Sequence, residues 1–350
     1  MSDLKNVALA VYRERRRELP VLPQSRIEAH EALKSINLHT NKDESFMMVN
    51  DQENGIIIFT CNSNLTCLCN DISDIFVDGT FKYCTKFFHQ LYTIHGCKNG
   101  HYVPLVFVLL PAKTELCYRD LWTKIQHLCT ERDLHLNPSS VHVDFEPAMH
   151  NVIVVLFPDA RIDGCSFHLG QAWWRNIQRI GLNSEYKNKC GEVGKWLSNF
   201  FGLPFLLPEE VADAFVEDIM ADTPDNEKCM EFADYVLNNY IEETARFPPQ
   251  LWACVPSMFR KRTNNGPESF HAQFYAAHPP LYIFVDVLLK QQSVNYTKIR
   301  GMDIPAGIRR EMREILEYSI DQNQMYNNGE ITRLQYLTRM GYKYFARTDL

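Results

Sequence analysis

No apolar run in this sequence reaches the roughly 18 residues a membrane-spanning helix needs. The N-terminus is polar and lacks the apolar stretch of a signal peptide. Both absences argue against a membrane protein and for an intracellular one. Regular cysteine spacing is missing as well: the eleven cysteines are an odd number, scattered along the chain. They read as reduced thiols of the cytosol or nucleus, not as a disulfide framework. Nor is there an excess of positive charge, since the net charge is -7. That balance is uneven, however. Residues 205–243 hold twelve Asp or Glu and one Lys, so the remainder of the chain carries a net charge of +4. A mildly basic body with one acidic segment can still bind phosphate backbones.

What is present is ordinary globular material: 45% hydrophobic, 12% aromatic and 23% charged residues in a chain of 350. That length suits one α/β core with a large insertion, or two domains. The first 40 residues read as helical, broken at Pro20 and Pro23. Arg13, Arg15, Arg16 and Arg17 form a basic stretch open to a nuclear-localisation reading, although a solvated helix face is the preferred one. Residues 46–49 and 56–59 flank Asn54-Gly55, a pair suited to the positive-φ positions of a tight hairpin turn. Strands follow at 75–83, 87–95 and 102–110, the last nearly all apolar, as a strand covered on both faces would be.

Thr114 is placed to cap a helix whose Cys117, Leu121, Ile125 and Leu128 recur at helical spacing. Then come a short strand at 140–144, a helix opened by Pro147 and running to 157, and a strand at 160–164. Three strands, helix, strand, helix, strand is the order of an RNase-H-like α/β fold, a mixed five-stranded sheet with flanking helices. In that layout the strand at 75–83 and the strand at 140–144 are neighbours. From Gln171 to about Arg262 the pattern is helical and includes the acidic segment, which reads as a helical insertion.

Period-2 alternation sets Phe76, Asp78 and Thr80 on one face of their strand. Asp144 ends the later strand, and Glu268 follows the loop-like Asn264-Asn265-Gly266-Pro267 at the start of a helix. Three carboxylates are the hard oxygen donors that Mg²⁺ or Mn²⁺ requires for phosphodiester chemistry. Each has a plainer reading: Asp78-Gly79 as a hairpin turn, Asp144 as a cap for the helix at Pro147, and Glu268 as a favourable charge at a helix N-terminus. An exonuclease of related fold usually carries Asp-x-Glu on its first strand, and here Thr80 stands where that Glu would be.

Six segments resemble the transposase domain of Mutator-like DNA transposons: DGTFK at 78–82, FFHQLYTIHG at 87–96, PLVFVLLPAKTE at 104–115, HVDFEPAMHNV at 142–152, GCSFHLGQAWWRNIQ at 164–178 and TNNGPESFH at 263–271. The resemblance implies an RNase-H-like fold and a metal-binding DDE triad, which falls on Asp78, Asp144 and Glu268. It implies DNA cleavage and strand transfer, with transposon ends and target DNA as partners, a nuclear location and a chain able to self-associate. Cys165 and His168 match the Cys/His motif of such enzymes. They supply two ligands where a closed Zn²⁺ site needs four. Cys190, His271 or the group Cys61, Cys67 and Cys69 are candidates for the rest that no spacing selects, and a buried structural role is preferred. Trp173 and Trp174 read as core over base-stacking residues. Arg175, Arg179, Arg260, Lys261 and Arg262 are the expected DNA-binding cations, away from the acidic segment.

Full-length members commonly carry a zinc-finger domain before the catalytic one, and no Cys/His pattern precedes Cys61 here. That departure leaves open a transposon-derived nuclear DNA- or protein-binding factor without activity. The expected organisation is a helical arm at 1–44, the first part of the transposase core with its leading hairpin at 45–180, a helical insertion at 181–262, and the Glu268 helix with a C-terminal helical region at 263–350.

Overall fold

Burial by apolar side chains decides where the strands of this protein run. The computed structural model describes residues 21–257, 267, 270–271 and 278–344. The expected basic helix before Pro20 lies outside them. In chain order the elements are α1 (Arg26–Lys34), β1 (Met47–Asp51), β2 (Ile56–Phe59), α2 (Asn62–Asn70), β3 (Asp74–Thr80), β4 (Gln90–Lys98), β5 (His101–Leu110) and α3 (Glu115–Thr130). Then follow β6 (Ser140–Val143), α4 (Pro147–Leu156), β7 (Arg161–Gly164), α5 (Ser166–Arg179), α6 (Asn183–Lys187), α7 (Glu192–Phe200), α8 (Val211–Ala214) and α9 (Glu227–Val236). The last three are α10 (Leu281–Gly301), α11 (Arg310–Asn327) and α12 (Arg333–Tyr344). No helix among the described residues is long and apolar enough to cross a membrane.

The strands form one mixed seven-stranded sheet in the order β1-β2-β5-β4-β3-β6-β7. This corrects the expectation of five strands. The two additional ones are the leading hairpin, which joins the sheet because β2 is buried along its whole length and pairs antiparallel with β5, Ile57 opposite Leu109. The hairpin turn also differs from the expected tight one. Four residues connect Asp51 to Ile56, only Gly55 (φ 69°) is left-handed, and Asp51 Oδ1 accepts the Asn54 N–H at 3.0 Å.

The chain divides into two compact units. One comprises Met1–Ile72, Asp78–Leu136 and Pro267–Ile304; the other comprises Ser73–Val77, Asn137–Gly266 and Pro305–Leu350. In the first, β5 is buried from Val103 to Leu110 and α3 lies in the chain after it, capped by Thr114 Oγ1 on the Cys117 N–H. Cys117, Leu121, Ile125 and Leu128 are all buried, as their helical spacing predicts. Phe46, Phe59, Phe107, Leu109, Phe284 and Leu288 belong to this unit's core.

A bulge interrupts the β4–β5 ladder: Ile94 faces Val106, but His95 faces Pro104. Proline has no N–H for the ladder, and Leu105 is the extra residue. Its carbonyl accepts from Thr60 Oγ1 and Asn64 Nδ2, both at 2.8 Å, and the Pro104 carbonyl accepts from Asn295 Nδ2 of α10 at 2.6 Å. Buried side-chain donors thus take over acceptors that the broken ladder would otherwise leave unsatisfied.

In the second unit the first residues of β3 pair parallel with β6, and β6 pairs parallel with β7, with Asp74 opposite Ser140 and Ser140 opposite Arg161. The expected adjacency of the Asp78 strand and the Asp144 strand is therefore observed. This unit's helical core gathers Trp173, Tyr186, Trp196, Phe200, Phe232 and Trp252, together with Tyr336, Leu337 and Met340 of α12. Trp173 is fully buried, with edge-to-face contacts to Phe201, Tyr240 and Trp252. It is core, as expected.

Candidate active site

Asp78 is a strand residue. β3 continues through Thr80, and Gly79 is not among the left-handed glycines, so the hairpin-turn alternative for Asp78-Gly79 does not hold. Glycine at 79 serves a close approach instead, because a Cβ there would lie 2.6 Å from Gln90 Oε1. The Asp78 side chain is buried, and both of its oxygens are engaged. Oδ1 accepts the Gly79 N–H at 2.9 Å, and Oδ2 lies 2.9 Å from His271 Nδ1.

Behind His271 stands a polar chain. Its Nε2 lies 3.1 Å from Thr93 Oγ1, which in turn lies 3.1 Å from His95 Nε2 and 3.3 Å from the Asp78 carbonyl oxygen. Thr93 and His95 project from β4, His95 at the bulge. His95 is fully buried, and burial holds its pKa well below the ordinary histidine value. Phe270, buried beside His271, packs against Phe107 and the His95 ring, at 5.9 and 5.3 Å between centroids. The residues 267, 270 and 271 have helical backbone.

Asp144 directly follows β6. The capping alternative does not hold for it, because the N-cap of α4 is Glu146. The backbone at Asp144 is held by α4, whose His150 Nε2 donates to the Asp144 carbonyl at 2.7 Å. His150 is buried, and desolvation keeps it neutral to lower pH than an exposed histidine. The next residue, Phe145, packs edge-on to Phe247 and Tyr240. Gly164 makes room for it, since a Cβ there would lie 2.7 Å from the Phe145 ring. Asp78 falls in one unit and Asp144 in the other. Glu268, Arg260, Lys261 and Arg262 lie outside the described residues.

Cys165 is buried at the start of α5 and its N–H donates to the Val143 carbonyl, while His168 is half-buried one turn along. Among the described residues no group of three or more His, Cys, Asp or Glu side chains is placed to hold a metal ion. Arg175 and Arg179 are exposed on α5. Arg175 bonds Gln171, and Arg179 pairs with Glu231 at 2.8 Å. Glu231 belongs to the acidic segment, so the expectation that Arg179 lies away from it is corrected. Helix α9 carries that segment back against α5, a proximity no local pattern encodes.

His271 as the partner of Asp78 is the residue that sequence reasoning missed, along with Thr93 and His95. All three stand inside segments that carry the family likeness, and for Thr93 and His95 the signal available was their polarity within an otherwise apolar strand. A search of curated proteins finds no match to the chain. The sequence model described as the MULE transposase domain matches residues 75–172, a stretch that holds Asp78, Thr93, His95, Asp144, Cys165 and His168. Over those residues the chain is similar to the MULE transposase domain.

Proposed function

We propose that this chain is the catalytic part of a DDE-type DNA transposase on an RNase-H-like fold. It cuts DNA strands and joins them to target DNA, using Mg²⁺ or Mn²⁺ held by Asp78, Asp144 and Glu268. The observation that carries this reading is the parallel pairing of β3 with β6. Asp74 stands opposite Ser140, and Asp78 and Asp144 each come four residues later in their own segments. The family likeness of residues 75–172 supports it.

The donor chemistry of Asp78 fits such an ion. Its carboxylate oxygens each take one hydrogen bond, from Gly79 and from His271, and a carboxylate oxygen has a second lone pair to offer a hard cation. Bound there, a pair of such ions supplies Lewis acidity for attack of water, or of a DNA 3′-hydroxyl, on a phosphodiester. The protein's own task is positional. The Gly79 amide and His271 fix the Asp78 carboxylate, and His150 fixes the backbone at Asp144. The same reading makes transposon ends and target DNA the partners and the nucleus the place of action.

The test is strand nicking. The chain, fused to an unrelated DNA-binding module so that end recognition is not limiting, is given Mg²⁺ or Mn²⁺ and a pre-nicked transposon-end duplex. The wild type should cleave and join, and Asp144→Asn should abolish both, since asparagine keeps the size of aspartate but not the charge that binds a cation. Equal inactivity of the two proteins would overturn the reading.

A further inference from the structure

We propose that His271 is a positioning residue that holds the Asp78 carboxylate in the orientation a divalent cation needs, through a hydrogen-bond relay from His95 and Thr93. The inference rests on the metal-binding reading of Asp78 and names a residue outside the matched family segment and outside the three carboxylates.

The relay has a direction, set at its buried end. His95 is neutral, with one N–H to place. Its Nδ1 is buried with no partner among the described residues, whereas its Nε2 faces Thr93 Oγ1 at 3.1 Å. The proton therefore sits on Nε2, where it makes a bond. Thr93 Oγ1 accepts it and has one proton of its own to give, with His271 Nε2 at 3.1 Å the nearer acceptor and the Asp78 carbonyl at 3.3 Å the farther. With Nε2 accepting, the ring proton of His271 lies on Nδ1 and is donated to Asp78 Oδ2 at 2.9 Å. One carboxylate oxygen is thus fixed by a backbone amide and the other by this imidazole.

The supports around the relay are paired and buried. Thr93 and His95 are on the strand that pairs with β5, and the bulge that sets His95 is tied down by Thr60, Asn64 and Asn295. Phe270 anchors the neighbouring backbone in the apolar core. A carboxylate pinned through both oxygens by partners on such elements is pre-oriented, and outer partners of this kind typically alter metal affinity by about 10- to 100-fold when removed.

The experiment measures Mn²⁺ binding by electron paramagnetic resonance titration, on the whole chain and without DNA, alongside thermal unfolding. His271→Ala should weaken Mn²⁺ binding by roughly 10- to 100-fold. His271→Asn should restore most of it, because its amide N–H can reach the place of Nδ1. Thr93→Val, which keeps size and burial but breaks the relay, should give an intermediate loss and guards against a His271 variant that fails to fold. If wild type binds Mn²⁺ and His271→Ala and Thr93→Val bind it equally well, the positioning role is overturned while the metal-binding reading of Asp78 stands. If wild type itself binds no Mn²⁺, both are overturned. A drop in melting temperature without a change in Mn²⁺ affinity would show His271 to be only structural, and also overturns the proposal.

Discussion

His30 shows at the scale of one side chain what burial does to a titratable group in this protein. It is fully buried on α1, its Nδ1 bonded to Asn50 Oδ1, while Asn50 Nδ2 donates to the His30 carbonyl at 3.0 Å. The Nε2 atom is buried with no partner among the described residues, and desolvation keeps the pKa below its ordinary value. A histidine whose folded pKa is lowered contributes stability that is present above its unfolded pKa of about 6.5 and is lost as pH falls from there toward the folded value. Stability to urea should accordingly decline between neutral pH and mildly acidic pH, and His30→Gln should flatten that decline. Parallel curves for the two proteins would show that His30 does not titrate in this window. Nothing in the sequence around His30 signals this, because His30 and its partner Asn50 come from different elements. The same holds for His271, whose bond to Asp78 spans most of the chain.

At the scale of elements, helices α7 and α12 meet through glycine. A Cβ at Gly341 of α12 would lie 1.9 Å from the Ser198 carbonyl oxygen, and one at Gly202, just beyond α7, would lie 2.3 Å from the Leu337 carbonyl oxygen. Backbone atoms cannot yield as a side-chain tip can, so Gly341→Ala must push the helices apart. We expect a loss of roughly 2–3 kcal/mol in urea unfolding, the upper part of the range for overpacking a close contact. Gly301 is the control. It ends α10 with nothing within 4 Å of its would-be Cβ, so Gly301→Ala should be neutral or should stabilise by about 0.5 kcal/mol. A Gly341→Ala protein as stable as wild type would mean that the two helices pack less closely than these distances require. Helical periodicity shows that α7 and α12 have apolar faces, but two glycines far apart in sequence do not announce that they meet.

For the whole molecule, charge is the property that sequence arithmetic describes least well. Residues 205–243 are strongly acidic as a segment, yet Arg179 pairs with Glu231, Arg333 of α12 with Glu217 and Asp218, and Tyr326 donates to Glu210. Part of that charge is answered by residues from before and after the segment. The DNA-binding expectation then rests chiefly on Arg175 and on Arg260, Lys261 and Arg262. Neutralising Arg260, Lys261 and Arg262 together should weaken DNA binding across all sequences and reduce the slope of log affinity against log salt by about 2–3, because every phosphate that a cation neutralises adds ~0.9 to that slope. Arg179→Ala should change the slope less, since its guanidinium already has a carboxylate. An unchanged slope in the triple variant would leave that cluster as a solvated surface.

The order of strands and helices along the chain from residue 75 to 164, the helix capped at Thr114, the adjacency of the Asp78 and Asp144 strands and the core role of Trp173 were legible from the sequence alone. Each depends on local periodicity, on a capping residue or on a connection order that permits few topologies. Tertiary structure alone decided that the leading hairpin extends the sheet to seven strands, that Leu105 bulges and is held by Asn64 and Thr60, that Arg179 faces Glu231 and that His271 bonds Asp78. These interactions join residues from separate elements. They follow from which buried donor can reach which acceptor once the backbone is closed, and a one-dimensional pattern contains no such distance.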